Sequence, residues 1–425
     1  MTVKNFLWHR RLGGVNNTGF GAYAIAGCDD TTMTSESWII GGYRSAQAAP
    51  HRSGGNTHQD ILRAWILAAA LVALCGVALY GPAAVEVLVV AILTAVAADV
   101  AVAFITRRSV IGGLSHGCLT GLLLALMLPA TAPWYVAMFG SLIAVALGKG
   151  LFGGLGHYIW QPAVVGRVIV QFLFEGHLSL TTALAAAPVL APGHLLVGNV
   201  DQARPITMAT YRGWFTTNDP VTVDAWLMER PVQALRRFAD AGIEPDGDLV
   251  FEPLLRDALP PWQDTVFGTV PGGIGETCSL ALIITGLYLI YRGYLRWQLP
   301  VAVLVSAAVA AAVLPVETAG DGGGYRWLPV LGVEHGRAVG IAYLMYHLTS
   351  GQLMLGAFLV AGDMIATPMR TRGQWVFGAG IGVLTIFMRL YGVLDGECYW
   401  SILIMNALVS TIDRRTKRPV LGMAV

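Results

Sequence analysis

The chain has 425 residues, of which 55% are hydrophobic and only 12% are charged, and its formal net charge is +1. A soluble domain carries about 25% charged residues, so this composition excludes an ordinary soluble protein and predicts a polytopic membrane protein. A balanced charge lacks the basic excess typical of nucleic-acid binding, and no nucleic-acid partner is expected. The five cysteines form no CxxC pair and no Cys/His cluster, so we expect neither a disulfide framework nor a metal site within this chain.

Apolar segments of membrane-crossing length, about 20 residues, occur ten times after a soluble N-terminal arm that lacks the apolar core of a signal peptide. The predicted spans lie near 61–80, 83–106, 110–129, 134–149, 162–177, 278–297, 298–316, 337–361, 375–392 and 398–412. The predicted organisation is therefore an arm at 1–60, a first transmembrane half at 61–197, a loop at 198–275, a second transmembrane half at 276–412 and a tail at 413–425.

The placement of lysine and arginine predicts the orientation of these spans. With a cytoplasmic N-terminus, the short loops outside receive only Arg326 and Arg337. The cytoplasmic side then receives Arg52, Arg107, Arg108, Lys149, Arg292, Arg296, Arg370, Arg372, Arg414, Arg415, Lys417 and Arg418. Because cytoplasmic loops are enriched in these residues, both termini are predicted to be cytoplasmic and the central loop extracytoplasmic. Five spans per half is an odd number, so related halves would be inverted repeats, which often bind ligands at interrupted helices between the repeats.

Two glycine-rich signatures are candidates for such interruptions, Gly150-Leu-Phe-Gly-Gly-Leu-Gly156 and Val270-Pro-Gly-Gly-Ile-Gly-Glu-Thr277. The second signature contains Glu276, which is either a helix cap favoured by the helix dipole or a ligand for a cation or proton. Asp99 and Asp363 lie in or at the end of predicted spans, where an ionisable group is costly and suggests function unless water reaches it. Glu276, Asp363 and Asp99 are therefore our candidate ion-binding residues.

Further polar groups lie in or near the predicted spans. Arg167 follows the first glycine signature, where its guanidinium either snorkels to the interface or binds a phosphate or carboxylate with two parallel hydrogen bonds. Arg389 is expected to form a structural pair. His116, His157 and His347 could in principle include a haem ligand pair, but no spacing on one helix supports haem, and hydrogen-bonded core histidines are the favoured interpretation.

Ordered motifs over roughly residues 48–420 resemble one membrane family. They are Ala49-Pro-His51, Phe152-Gly-Gly-Leu-Gly156, Gln161-Pro-Ala-Val-Val-Gly-Arg167, Val270-Pro-Gly-Gly-Ile-Gly-Glu-Thr277, Leu353-Met-Leu-Gly-Ala-Phe358, Arg372-Gly-Gln374, Gly380-Ile-Gly-Val-Leu-Thr385 with Arg389, and Met405-Asn-Ala-Leu408. The family contains the D subunit of the Rnf ion-translocating electron-transport complex and the B subunit of the sodium-translocating NADH:quinone oxidoreductase.

This resemblance implies an all-α protein of about ten helices in a bacterial inner membrane. It also implies an FMN attached by a phosphoester bond to Thr210 of Thr207-Met-Ala-Thr210, and a riboflavin if the quinone-reductase relative is the better match. The expected partners are the other subunits of a membrane redox complex, membrane lipid and a flavin transferase. The expected role is that of a subunit of a translocase-type oxidoreductase, coupling electron transfer to Na+ or H+ movement, with Thr210, Thr207 and Arg167 as candidate cofactor-binding residues.

The motif around Thr210 departs from the family pattern at two positions. Met208 replaces a glycine, and Arg204 stands six positions before Thr210, where the family has an acidic residue. These differences leave two alternatives open. One is a flavin-free channel or secondary transporter on the same scaffold, and the other is a cofactor-less scaffold subunit that only assembles partners.

Overall fold

A computed structural model describes residues 39–40, 43–44, 58–106, 111–154, 156–174, 178, 262–268, 272–318, 324–328, 330, 337–392 and 396–416. The chain divides into two compact units, Met1–Asn56 and Thr57–Val425. In the first unit, strand β1 (Ile39–Ile40) pairs antiparallel with strand β2 (Tyr43–Arg44), so that Ile39 faces Arg44.

The described part of the second unit is mainly helical. Its helices are α1 (His58–Tyr80), α2 (Pro82–Ile105), α3 (Ile111–Leu126), α4 (Trp134–Ile143), α5 (Pro162–Leu173), α6 (Trp262–Phe267), α7 (Ser279–Tyr291), α8 (Gln298–Val313), α9 (Arg337–Thr349), α10 (Gln352–Leu355), α11 (Thr371–Tyr391) and α12 (Glu397–Arg415). Two π-helical segments, Ala144–Gly150 and Gly356–Val360, extend α4 and α10. A hairpin of β3 (Val316–Thr318) and β4 (Gly324–Arg326), which the sequence analysis does not predict, follows α8.

A described helix lies at each of the ten predicted spans. Among the described residues, three helices are long and apolar enough to cross a membrane by themselves, Gln59–Tyr80, Pro82–Ile105 and Thr371–Tyr391, and five apolar helical stretches are shorter. These apolar helices indicate a membrane protein, as predicted. Helix α1 packs against α7, and α5 packs against α12, so elements from before and after the central loop share one core.

Short helices place irregular backbone at membrane depth. Helix α3 has 16 residues and α7 has 13, which at 1.5 Å per residue is roughly 24 and 20 Å, less than the roughly 30 Å hydrocarbon core. Backbone at that depth must find its hydrogen bonds within the protein. It does so here, because the amides of Ile274 and Gly275 donate to the carbonyls of Leu128 and Leu126 over 2.9 and 2.8 Å.

A glycine is required where these two segments meet. A Cβ atom on Gly275 would lie 2.7 Å from the Cβ of Leu126, closer than side chains pack. The second glycine signature therefore lets the segment before α7 approach the end of α3 and pair with it, at one of the two interruptions that the sequence predicts.

The span predicted at 337–361 is wrong as one continuous helix. Helix α9 ends at Thr349, and α10 begins at Gln352 after Gly351, whose φ of 68° lies in the left-handed region. Glycine reaches this conformation at little cost, so the chain breaks here, within the polar stretch Thr349-Ser-Gly-Gln352. The sequence analysis takes these four residues as part of a single span.

Candidate functional site

Glu276 lies in the segment that precedes α7, and only 3% of its surface is exposed. The hydroxyl of Tyr399, from α12, donates to its Oε1 over 2.5 Å. The backbone amide of Gly273 donates to its Oε2 over 3.2 Å. The N-cap of α7 is Cys278 and not Glu276. The two hydrogen bonds hold the Glu276 carboxylate to its own loop and to α12.

The hydroxyl group of Thr277, the residue that follows Glu276, is buried. Its oxygen has no hydrogen-bond partner among the described residues. Buried polar groups are normally hydrogen-bonded, and an exception calls for an explanation such as an unseen water or ion. Carboxylate and hydroxyl oxygens are suitable ligands for hard cations, so this loop can chemically hold a cation or a proton.

Arg167 lies on α5, where the side chain of Gln161 caps the helix by accepting from the amide of Val164. The guanidinium is 2% exposed. Its Nε donates to the carbonyl of Met127 over 2.9 Å, and its Nη1 donates to Oε1 of Gln171 over 2.5 Å. Arg167 thus donates to a carbonyl where α3 ends and to a side chain of its own helix.

Tyr399 joins these two charged residues. The Cζ atom of Arg167 lies 5.9 Å from the centroid of the Tyr399 ring, and the hydroxyl of the same ring binds Glu276. Arginine over an aromatic face is an attractive contact. We call Arg167, Tyr399 and Glu276 the junction cluster, because α5 precedes the central loop in sequence whereas α7 and α12 follow it.

Arg389 makes the structural pairing that was expected. Its Nη1 donates to the carbonyl of His347 over 2.6 Å, and its Nη2 donates to the carbonyl of Ser350 over 3.3 Å. These carbonyls belong to the end of α9, where the helix breaks. Arg389 and Arg167 therefore have the same structural role. Each guanidinium donates hydrogen bonds to carbonyl groups at the end of a helix, where the helix itself supplies no amide partner.

Asp99 forms a buried ion pair with Lys149. The Nζ of Lys149 lies 2.6 Å from both carboxylate oxygens of Asp99, and the two side chains are only 5% and 4% exposed. Lys149 belongs to the π-helical segment Ala144–Gly150. A free cation could bind Asp99 only after this ammonium group moved or lost its proton.

Asp363 lies in the connection between the second π-helical segment and α11. The hydroxyl of Tyr158 donates to its Oδ2 over 2.9 Å and lies 3.2 Å from Nε2 of His116. His116 also meets the hydroxyl of Thr120 through Nδ1 over 3.3 Å. Burial raises the pKa of Asp363 to about 6, against the lowering effect of the Tyr158 hydrogen bond.

A small pocket adjoins this group, and the side chains of His116, Tyr158 and Asp363 line it. Its volume of about 20 Å³ is enough for a water molecule. The indole Nε1 of Trp65, which also lines the pocket, is buried and has no hydrogen-bond partner among the described residues. We call His116, Tyr158 and Asp363 the Asp363 relay.

Comparison with known proteins identifies the chain. A model of the NQR2, RnfD, RnfE family matches residues 45–422. The chain belongs to this family. It is 30% identical to the D subunit of the ion-translocating oxidoreductase complex of Halorhodospira halophila, over 88% of this chain and 94% of the relative. It is also 30% identical to the D subunit of a proton-translocating ferredoxin:NAD(+) oxidoreductase complex of Clostridium ljungdahlii, over 87% and 93%, and 26% identical to the D subunit of a Na(+)-translocating complex of Acetobacterium woodii, over 89% and 95%.

The family assignment confirms the resemblance drawn from the motifs, and these relatives are subunits of ion-translocating oxidoreductase complexes. A proton-translocating and a sodium-translocating relative are similarly distant. The family therefore includes subunits of both proton-translocating and sodium-translocating complexes.

In this member of the NQR2, RnfD, RnfE family, the structure brings together two of the predicted site residues, Arg167 and Glu276. It places Asp99 and Asp363 in two other groups. Thr207 and Thr210 lie outside the described residues. Within the part of the chain that the structure describes, no three His, Cys, Asp or Glu side chains form a group that could hold a metal ion.

Three functional partners were missed by sequence reasoning, namely Tyr399, Lys149 and Tyr158. Tyr399 is 123 positions from Glu276, and nothing local marks it. Lys149 was counted only as a cytoplasmic charge, although its position between Gly148 and Gly150 in an apolar run was a usable signal. Tyr158 lies two positions after the first glycine signature, so its place at a backbone opening could have been noted.

Proposed function

We propose that this chain is the membrane subunit of an ion-translocating, flavin-dependent electron-transport complex, and that it carries FMN and couples electron transfer to Na+ or H+ movement. The family assignment and the names of the relatives support the redox-complex part. The junction cluster supports the coupling part. The single observation that carries the proposal is the buried Glu276 carboxylate beside the unpartnered Thr277 hydroxyl.

Coupling requires that the ion binds one redox state more tightly than the other. Glu276 is suited to this because a carboxylate is costly at membrane depth unless a cation, a proton or hydrogen bonds compensate it. The Tyr399 hydroxyl and the Gly273 amide donate hydrogen bonds to it in the structure. A change in charge near Glu276 would change the relative stability of two states, the carboxylate hydrogen-bonded to these donors and the carboxylate bound to an ion. Asp363 is the second proposed ion residue, since its pKa of about 6 allows it to take up a proton.

Asp99 becomes a weaker ion candidate under this proposal. The ammonium group of Lys149 contacts both of its oxygens, so the carboxylate is already compensated. We propose that this pair stabilises the packing of α2 against the first π-helical segment. The assignment of Asp99 as an ion ligand is thereby replaced by a structural one that can be tested on its own.

The proposed attachment point of FMN is Thr210, with Thr207 beside it, in the extracytoplasmic loop predicted at 198–275. This part rests on the motif resemblance. The flavin would supply one-electron chemistry, and a flavin transferase would attach it. Arg167 no longer belongs to the flavin site in this proposal, because its guanidinium is engaged by Met127 and Gln171. Riboflavin remains a proposed second cofactor without an assigned residue.

The proposed fold is two inverted five-helix repeats in a bacterial inner membrane, with both termini cytoplasmic. It is supported by the odd number of predicted spans in each half and by the described helix at each span. The halves also share a local pattern, in which a helix breaks, a π-helical segment follows, and the next helix carries a buried arginine. Arg167 on α5 donates to Met127 after α3, and Arg389 on α11 donates to His347 and Ser350 around the end of α9.

The experiment that tests the flavin part is in-gel fluorescence of the denatured protein from a host that co-expresses a flavin transferase. We expect a fluorescent band for the wild type and for Thr207→Ala, and a dark band for Thr210→Ala. A dark wild-type band would reject the covalent flavin. Solute flux by such a protein would then favour the channel or transporter, whereas intact complex assembly and electron transfer in Thr210→Ala would favour the scaffold subunit.

A further inference from the structure

A second and larger cavity, which we call the arginine pocket, lies where the connection from α7 to α8 meets the connection that precedes α11. Its volume is about 350 Å³, within the range of small-ligand sites. Leu295, Leu299 and Met369 give it an apolar wall, and Arg296 and Gln374 are polar groups on its lining. Asp363 is not among the residues that line it, because its carboxylate binds Tyr158 in the Asp363 relay.

Gln374 brings an unused hydrogen-bond acceptor to this pocket. Its Nε2 donates to the carbonyl of Pro368 over 3.1 Å, whereas its Oε1 has no partner among the described residues. The side chain is 7% exposed. An unpaired buried acceptor costs free energy, so a ligand that donates a hydrogen bond here would bind favourably.

Arg296 supplies the positive charge. Its Nη1 donates to the carbonyl of Met369 over 2.9 Å, which holds the guanidinium across one side of the pocket. The group is exposed, and its remaining donors meet no acceptor among the described residues. No carboxylate lines the pocket within the described part of the chain. The nearby Arg292, whose Cζ lies 5.5 Å from the ring of Tyr294, adds to the positive potential.

We propose that the arginine pocket binds an anionic glycerophospholipid whose headgroup carries a hydroxyl, such as phosphatidylglycerol. Arg296 would bind the phosphodiester, Gln374 would accept from the headgroup hydroxyl, and an acyl chain would lie along Met369, the exposed apolar side chain of the lining. The ligand chemistry is that of a phosphate ester with a hydroxyl donor. The membrane is the source, because basic pockets between helices on the cytoplasmic side bind anionic headgroups, and the predicted topology puts Arg292 and Arg296 on that side.

Native mass spectrometry of the purified, detergent-exchanged complex tests this site, with dioleoyl phosphatidylglycerol as the probe and dioleoyl phosphatidylcholine as its zwitterionic counterpart. We expect tighter binding of phosphatidylglycerol. Arg296→Gln should weaken it about fivefold, as for one basic residue near an anionic headgroup, and Gln374→Met should weaken it further. Arg414→Gln is the matched control, because Arg414 is exposed on the same predicted side and does not line the pocket.

Four results would overturn the proposal. They are equal binding of the two lipids, equal affinity in Arg296→Gln and Arg414→Gln, competition by soluble glycerol phosphate at the concentrations at which the lipid binds, and binding by the isolated subunit but not by the complex. The third would mean a soluble phosphate ester is the ligand, and the fourth that another subunit fills the pocket. Arg296 is exposed, so its substitution should leave folding intact. The flavin assay does not depend on lipid binding, so the lipid proposal and the flavin proposal can fail independently.

Discussion

The pairing of Asp99 with Lys149 gives a prediction that separates a structural role from an ion-binding one. Lys149→Met would remove the ammonium group 2.6 Å from both carboxylate oxygens and leave Asp99 buried without it. Breaking a buried ion pair by removing one partner costs about 3 to 5 kcal/mol, whereas replacing both partners with neutral groups is often tolerated. The double variant Asp99→Asn/Lys149→Met should therefore recover most of the loss seen in the single variant.

The assay is the thermal unfolding midpoint of the purified protein in detergent, measured with and without Na+. We expect a clear drop in Lys149→Met, recovery in the double variant, and no effect of Na+ on the wild type through this site. A double variant no more stable than Lys149→Met would refute the reasoning about the pair. A wild-type midpoint raised by Na+, with the rise abolished by Asp99→Asn, would show instead that Asp99 is an ion ligand.

Two further predictions concern the broken segment and the relay. Gly275→Ala would push a Cβ to 2.7 Å from the Cβ of Leu126 and should cost about 1 to 3 kcal/mol as overpacking. Gly150→Ala, whose Cβ would meet ordinary contacts of 3.4 Å or more, should cost less, and thermal unfolding of both variants checks this. Since the pKa of Asp363 is raised from 3.8 to about 6, the folded state binds its proton more tightly, and the free energy of unfolding should fall as pH rises from about 4 to 6. Asp363→Asn should flatten that dependence, and an unchanged pH profile would count against the burial of this carboxyl.

Helix positions could be predicted from the sequence because they depend on local signals. Apolar runs of membrane-crossing length predict ten segments, and a described helix lies at each. The interruption before α7 was also expected, since Gly272, Gly273 and Gly275 occur together. In contrast, the prediction of one continuous span at 337–361 overlooks the polar stretch Thr349-Ser-Gly-Gln352, which was a usable turn signal.

The partners of the charged groups could not be predicted because they depend on long-range packing. Glu276 finds Tyr399, and Asp363 finds Tyr158 205 positions away. Arg389 was expected to pair structurally and does. Arg167 was left open between two interpretations, and only the position of Met127 at the end of α3 shows what its guanidinium contacts. The sequence thus predicts which charged groups lie in or beside apolar segments, whereas the fold determines which partners compensate their charges.

The most direct test of the central claim is the number of ions transported per electron by the assembled complex in proteoliposomes, with wild type, Glu276→Gln and Glu86→Gln compared. Glu86 is exposed and serves as the matched control. The account predicts that Glu276→Gln keeps its bound flavin and part of its electron transfer but transports few or no ions per electron, while Glu86→Gln behaves as the wild type. An unchanged ion-to-electron ratio in Glu276→Gln would contradict the account.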